Sequence, residues 1–153
     1  MSIRPVQAAD CTLLSQMIGQ SIRHFHPTTF SPEKTEVWIR DYTPDRIWQR
    51  LKAGCALFCH EVNGCYSGMI GLRDNEIIGL YVAPQASGGG IGRQLIQFIE
   101  SYALRQKMEQ VELTSNFTTL GFYKRLGYRP QGIAYIEVEG YRYREMRLVK
   151  KLG

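Results

Sequence analysis

The stretch Glu76–Tyr102, EIIGLYVAPQASGGGIGRQLIQFIESY, limits what this chain can fold into more than any other. It reads as a strand over Glu76–Val82, a turn at Pro84, a glycine-rich loop over Gly88–Gly92 and then a long amphipathic helix. The apolar residues Ile91, Leu95, Phe98, Ile99 and Tyr102 recur at helical spacing, while Arg93, Gln94, Gln97 and Glu100 fill the other face. A glycine loop that opens a helix straight after a strand suits phosphate. The first helical N–H groups have no partner within the helix, and the helix dipole is positive there. Glycine also lets an anion reach the backbone with no Cβ in the way.

The glycine spacing excludes two phosphate-binding patterns. A dinucleotide fingerprint, G-x-G-x-x-G, fails because its third glycine falls on Arg93 or Leu95, and no Gly-Lys-Ser/Thr follows for a P-loop. The pattern that does fit is Q-x-x-G-x-G, as Gln85-Ala86-Ser87-Gly88-Gly89-Gly90 followed by Ile91-Gly92. A second segment stands downstream, Asn116-Phe117-Thr118-Thr119-Leu120-Gly121-Phe122-Tyr123-Lys124-Arg125-Leu126-Gly127-Tyr128. Together these resemble the pyrophosphate loop and the N-x-x-A-x-x-(apolar)-Y-x-x-x-G-(aromatic) segment of the GCN5-related N-acetyltransferase (GNAT) superfamily. Thr119 stands where that pattern has alanine, and Gly121 inside the helix is unusual, costing about 1 kcal/mol against alanine. The resemblance covers roughly residues 55–130 closely and the N-terminal third loosely.

The rest of the chain agrees with one domain over residues 1–153, long enough to bury a proper core. Ser2–Val6 reads as an opening strand and Asp10 as the N-cap of a helix carrying Leu13, Leu14, Met17, Ile18, Ser21 and Ile22. That helix should fray near His24-Phe25-His26-Pro27. Ser31-Pro32 and Thr43-Pro44 start two short helices, the second ended by Gly54. Trp38, Tyr42 and Trp48 in this region are either packing residues or walls of a pocket. Asn63-Gly64 between Ala56–Val62 and Tyr66–Arg73 is a hairpin signal, and Asp74-Asn75 turns the chain into Glu76–Val82. After the long helix come a strand at Glu109–Thr114, a helix at Thr118–Leu126, and a hairpin of Ile133–Val138 with Tyr141–Val149. Strands joined across the long helix should be parallel. The expected architecture is a mixed α/β fold: a central, mostly antiparallel sheet of about seven strands flanked by about four helices, the GNAT fold if the resemblance holds.

Charge and cysteines narrow the function classes. The net charge of +5, from 19 Lys+Arg against 14 Asp+Glu, favours anionic partners. The basic residues of the tail, Arg142, Arg144, Arg147, Lys150 and Lys151, alternate with other types as on a solvated strand face, so nucleic acid is not expected. No apolar run is long enough to span a membrane and no secretory signal opens the chain, which points to the cytoplasm. Cys11, Cys55, Cys59 and Cys65 are expected reduced. Their spacing, with only His60 nearby, is not a zinc pattern. His60 is expected to be a hydrogen-bonded structural histidine, and no G-x-S-x-G elbow marks a serine hydrolase.

What the resemblance implies is acetyl transfer from acetyl-CoA, as co-substrate, to a primary amine by direct attack within a ternary complex. It puts the pantetheine arm along Leu80, Tyr81 and Val82, with the Val82 N–H facing the thioester oxygen. It puts the pyrophosphate on Gln85, Ser87 and the N–H groups of Gly88, Gly89, Gly90, Ile91, Gly92 and Arg93, and Asn116 on the coenzyme arm. Tyr123, hydroxyl towards the sulfur, is the implied general acid for a leaving thiolate of ordinary pKa about 8.5. Glu76 is the implied base, acting through water; the competing reading is a solvated residue after a turn. The acceptor, a small-molecule or protein amine, is left open. Its pocket is expected from His24–Gly54 and from Tyr135, Glu137, Tyr141 and Tyr143. The resemblance also allows a homodimer through the final strands. The alternative function is a non-catalytic acetyl-CoA-binding sensor of the same fold.

Overall fold

The computed structural model describes residues 2–25 and 30–153. Seven strands form one sheet in the order β1-β2-β3-β4-β5-β7-β6. The strands are β1 (Ile3–Pro5), β2 (Ala56–Val62), β3 (Cys65–Arg73), β4 (Glu76–Val82), β5 (Gln110–Ser115), β6 (Arg129–Val138) and β7 (Tyr141–Lys151). Five α-helices are present among the described residues: α1 (Cys11–Phe25), α2 (Pro32–Arg40), α3 (Pro44–Lys52), α4 (Ile91–Arg105) and α5 (Leu120–Arg125). All neighbouring strands are antiparallel except β4 and β5, the pair joined through α4. The expected mixed sheet is therefore the one found, with five helices where about four were expected. The expected fraying at His26-Pro27 lies outside the described residues.

Local chemistry sets most boundaries. Asn63 and Gly64 both have positive φ, 52° and 79°, the pair of left-handed residues that a two-residue hairpin needs. Ser31 and Thr43 each accept the N–H three residues on, with proline in the first helical turn. Asp10 differs from expectation. A single turn of 3-10 helix at Ala8–Asp10 precedes α1, and Asp10 closes that turn by accepting the Gln7 N–H at 2.7 Å. Its carboxylate also takes two 2.8 Å hydrogen bonds from the Arg4 guanidinium and one from the Tyr66 hydroxyl. Asp10 is thus the buried hub that ties β1, α1 and β3 together.

Two apolar layers cover the two faces of the sheet. On one, Leu14, Ile18 and Ile22 of α1 and Ile47 of α3 pack on Leu57, Cys59 and Met69. On the other, Leu95, Ile96 and Ile99 of α4 pack on Ile70, Leu72, Ile77 and Val111. Ile96 and Ala103 join the buried stripe of α4, which the apolar spacing had assigned to other positions, and Leu13 of α1 is 46% exposed. Cys11, Cys55 and Cys59 are buried free thiols and Cys65 is exposed. Burial pushes the Cys59 thiol up to about 11, which keeps it an inert core group at neutral pH.

Glu100 was expected on the solvent face of α4. Instead it accepts the Tyr128 hydroxyl at 2.7 Å and the Lys150 ammonium at 3.0 Å, tying α4 to the end of the sheet. Most of the basic tail is likewise used within the molecule: Arg142 lies over Tyr135, Arg144 over Phe117, and Arg147 pairs with Glu112. On the α1–α3 face, the Tyr143 hydroxyl donates to the Lys34 carbonyl at 2.7 Å, and the Tyr143 ring sits edge-on to Trp38 at 4.8 Å. These contacts fix α2 over β7 and so set one wall of the site.

Candidate functional site

Where β4 and β5 run side by side they pair only at their start. Glu76 stands opposite Glu112, and the Glu112 N–H donates to the Asn75 carbonyl at 3.0 Å. Beyond that point no ladder joins them, and the gap opens into a cleft of about 970 Å³. The local cause is a β-bulge. Tyr81 and Val82 pair with Met69 and Gly68, but Ile78 already pairs with Gly71, so β4 carries one extra residue against β3. Gly79 takes the turn with φ 62°. An isolated glycine inside a strand pattern was the available signal for this bulge.

The glycine loop closes one end of the cleft. Pro84–Ala86 is a turn of 3-10 helix, Gly88 and Gly90 are left-handed at φ 82° and 83°, and Gly90 is the residue from which α4 begins. The first helical hydrogen bond is from the Gln94 N–H to the Gly90 carbonyl at 3.0 Å. Among the described residues, the N–H groups of Gly88, Gly90, Ile91, Gly92 and Arg93 have no backbone acceptor, whereas that of Gly89 is spent on the Ala86 carbonyl at 3.3 Å. Five of the six expected amides are thus free at a helix N-terminus, a geometry made for an anion. Ser87, Gly88 and Gly90–Arg93 line the cleft; Gln85 and Gly89 stand outside its walls. A Cβ on Gly92 would come within 3.3 Å of Phe122 Cζ and 3.6 Å of Val82 Cγ2, so glycine there lets α4, α5 and β4 converge.

Leu80, Tyr81 and Val82 border the cleft along the unpaired side of β4. Opposite, Asn116 follows β5 and is 8% exposed. Its Oδ1 accepts the Thr119 N–H at 3.1 Å and the Thr118 hydroxyl at 2.6 Å, a capping contact just before α5 begins at Leu120. Its amide nitrogen donates to no other described residue, and Asn116 lines the same cleft. Tyr123 is half-buried, edge-on to Phe122 at 5.0 Å and to Tyr128 at 6.0 Å. Its hydroxyl has no hydrogen bond to another described residue. Burial, helped by the negative charge of Glu145, pushes the phenol well above its ordinary range, so it stays protonated. Gly121 is exposed, does not line the cleft, and packs only on its own neighbour Arg125, so no close approach explains it.

The other half of the cleft is aromatic and charged. Trp38 donates its indole N–H to the Tyr81 hydroxyl at 2.7 Å, and Tyr42 meets Tyr81 edge-on at 5.0 Å. Both Trp38 and Tyr42 line the cleft, whereas Trp48 is 40% exposed and belongs to neither wall nor core. Of the four hairpin residues expected here, only Glu137 lines it. Tyr143 is buried beneath Trp38, Tyr135 is an exposed ring under Arg142, and Tyr141 bonds Glu33.

Glu76 lines the cleft too, but one carboxylate oxygen is held by Arg73 at 2.7 Å. Glu145, from the middle of β7, lines the same cleft, is 5% exposed and was missed from the sequence. Burial raises its carboxyl to about 7, against a hydrogen bond from Thr114 that works the other way. Its signal was the alternation Tyr143-Arg144-Glu145, which points a glutamate the same way as an aromatic. His60 is the other surprise. Its Nδ1 is buried with no hydrogen-bond partner, and no other buried side-chain polar atom among the described residues is left so.

Among the described residues no cluster of His, Cys, Asp or Glu is arranged to hold a metal, and no helix is long and apolar enough to cross a membrane.

The family model for the acetyltransferase (GNAT) domain matches residues 27–150. Comparison with curated protein sequences gives no match. Among solved structures, the chain is similar to a GCN5-related N-acetyltransferase from Rhodopseudomonas palustris, with TM-score 0.91 and 21% identity over 98% of this chain and 94% of that one. It is also similar to the PaiA N-acetyltransferase of Thermoplasma acidophilum in complex with coenzyme A, with TM-score 0.76 and 20% identity over 99% of both chains. A third likeness is to a phosphinothricin acetyltransferase from Sinorhizobium meliloti in complex with acetyl-CoA, with TM-score 0.68 and 18% identity over 100% of this chain and 90% of that one. At these identities the likeness to solved structures is one of fold.

Proposed function

Because this chain belongs to the acetyltransferase (GNAT) domain family, we propose that it transfers an acetyl group from acetyl-CoA to a primary amine by direct attack within a ternary complex. The observation that carries this reading is the row of free amides at Gly88 and Gly90–Arg93, set at the mouth of a cleft that the parted strands β4 and β5 open. A pyrophosphate on those amides would lead the pantetheine arm along the unpaired side of Leu80–Val82 towards Tyr123. The neighbouring folds that hold coenzyme A and acetyl-CoA support the same ligand.

Catalysis then needs three things. The Val82 N–H stabilises the oxyanion that forms at the thioester carbonyl. Tyr123, kept protonated by its surroundings, supplies a proton to the leaving thiolate. A carboxylate removes a proton from the acceptor's ammonium. Two such groups line the cleft, Glu76 on β4, which would act through a water, and Glu145 on β7. The acceptor enters from the side walled by Trp38, Tyr42 and Tyr81, whose ring faces suit a cationic amine, and the exposed Glu137 adds negative charge there.

Thiol release from acetyl-CoA, followed over a panel of amines, should be amine-dependent; tight binding of acetyl-CoA with no turnover of any amine would favour the non-catalytic sensor. The double substitution Gly88→Ala and Gly90→Ala puts side chains at φ 82° and 83°, where each costs about 1–2 kcal/mol. Relaxation of that strain turns the free amides away, and acetyl-CoA affinity measured by calorimetry is expected to fall at least about tenfold, a loss of about 1.4 kcal/mol. An unchanged dissociation constant would take the loop out of coenzyme binding.

A further inference from the structure

We propose that Glu145 is the general base of this site and that it takes the proton directly from the acceptor's ammonium; this rests on the reading of the protein as an acetyl-CoA-dependent N-acetyltransferase.

A carboxylate in the middle of a buried strand needs a physical reason. Acidic side chains are almost never fully buried unless a cation pairs with them. The other acidic groups of the cleft obey that rule or are exposed. Glu76 is held by Arg73, Asp41 by Arg46 and Arg50, and Glu139 by Arg40, while Glu137 is solvent-exposed. Glu145 is 5% exposed, and no ion pair among the described residues includes it. It opens on the cleft that also exposes Tyr123, and it stands on the β7 face that carries Tyr143, under α2. Its partner across the sheet is Ala134 of β6, too small to fill the space above it. A buried carboxylate aimed into a cleft with no cation of its own is the complement of a cation that arrives from outside.

The groups that face it set its behaviour. Tyr81 of β4, Thr114 of β5 and Tyr123 of α5 line the same cleft and interact electrostatically with Glu145. None is a cation that would hold the carboxylate charged, and burial, against the opposing effect of Thr114, lifts it to about 7. A base poised near neutrality is the most effective at pH 7. The same charge discourages ionisation of Tyr123, which keeps acid and base distinct.

The step balances. The Glu145 carboxylate takes one proton from the ammonium, leaving a neutral amine. The amine lone pair attacks the thioester carbonyl, the C–N bond forms, and the oxyanion collapses with loss of the C–S bond. The thiolate takes the Tyr123 proton, and the remaining extra proton on nitrogen passes back to Tyr123. Glu145 then gives its proton to solvent, so that one proton is released for each amide formed.

The test compares wild type, Glu145→Gln, Glu145→Asp and Glu76→Gln with n-butylamine, spermidine, L-lysine and a peptide with a free N-terminus as acceptors. It measures thiol release against pH, calorimetric binding of acetyl-CoA, and thermal melting. For wild type, kcat/KM should rise with pH through a limb near 7, because raising the pH ionises Glu145. Glu145→Gln should lose about 10²-fold in turnover and lose the limb, yet bind acetyl-CoA like wild type. Glu145→Asp should recover part of the rate and keep a limb, and Glu76→Gln should keep the limb near 7. Melting separates this from a structural role. A carboxyl raised by burial binds its proton more tightly folded than unfolded, so its charge weakens the fold as pH rises above its unfolded value. Glu145→Gln should therefore melt at or above wild type at pH 8, whereas a residue that holds the fold together would give a lower melting temperature. Turnover within a few-fold of wild type with the limb intact overturns the proposal, as does a lowered melting temperature in the Gln variant. Wild type that binds acetyl-CoA but acetylates none of the four amines also overturns the base role and leaves coenzyme binding standing. Failure of wild type to bind acetyl-CoA would instead remove the proposed function itself.

Discussion

Replacing Tyr123 by phenylalanine is expected to lower turnover by about 10²–10⁴-fold while leaving acetyl-CoA affinity within a few-fold. The separation of the two effects comes from the geometry. The ring packs edge-on to Phe122 and Tyr128, and phenylalanine preserves both contacts. The hydroxyl bonds no other described residue, so its removal strands no buried partner and should leave the fold intact. What is lost is one proton donor in the cleft, held protonated by burial and by Glu145. Single-turnover and steady-state rates of thiol release, beside calorimetry with acetyl-CoA, check this. Unchanged turnover in the variant would take Tyr123 out of the mechanism.

The second large effect concerns the fold. Asp10→Ala is expected to cost about 2–4 kcal/mol at pH 7, read as a fall in the denaturation midpoint. The substitution removes two hydrogen bonds to Arg4, one to the Gln7 N–H and one to Tyr66, from a side chain that is 6% exposed. Arg4 keeps Glu61 at 2.9 Å and is a third exposed, which holds the cost below that of a fully stranded buried charge. The Arg4 guanidinium, beside Asp10, holds that carboxyl well below the usual carboxylate range. A carboxylate with a depressed folded pKa contributes its full stability above the unfolded value of about 4, and loses it as pH falls further. Wild type and Asp10→Ala should therefore converge in stability as the pH drops below about 4. A pH-independent gap would mean that the network acts by shape and not by charge.

Much of the molecule is legible in the amino-acid sequence alone, for reasons that differ by element. Asn63-Gly64 located a hairpin because the residues at a left-handed turn are chosen by local sterics alone, and Ser31 and Thr43 located helices because a cap is a bond within a few residues. The glycine loop showed where α4 would begin, and the helical connection set β5 parallel to β4. Contacts brought from far away were harder to see. Gly79 reads as a weak strand residue until β3 is laid beside it and the extra residue becomes a bulge. Glu100 looks like solvent-facing charge until Tyr128 and Lys150 arrive from the far end of the chain.

Glu145 was hidden for the same reason. Within YRYREMRLVKK the alternation suggests one wet face. In the fold α2 covers the face of Tyr143 and Glu145, while Leu148 packs towards α4 on the other. A strand buried on both sides in its middle gives its polar residues a function or a penalty, and only the assembled sheet shows which. The walls of the cleft were partly legible: of the residues expected for an acceptor pocket, Trp38, Tyr42 and Glu137 line it, while Trp48, Tyr135, Tyr141 and Tyr143 do not, because aromatic content alone does not say which way a ring faces.

The proposed acetyl transfer requires a nucleotide-bearing thioester gripped by the free amides at the head of α4. Isothermal calorimetry of the full chain with acetyl-CoA measures that directly. One molecule bound per chain, accompanied by a rise in melting temperature with ligand concentration, is the expected result. No heat and no thermal protection at millimolar acetyl-CoA would contradict it.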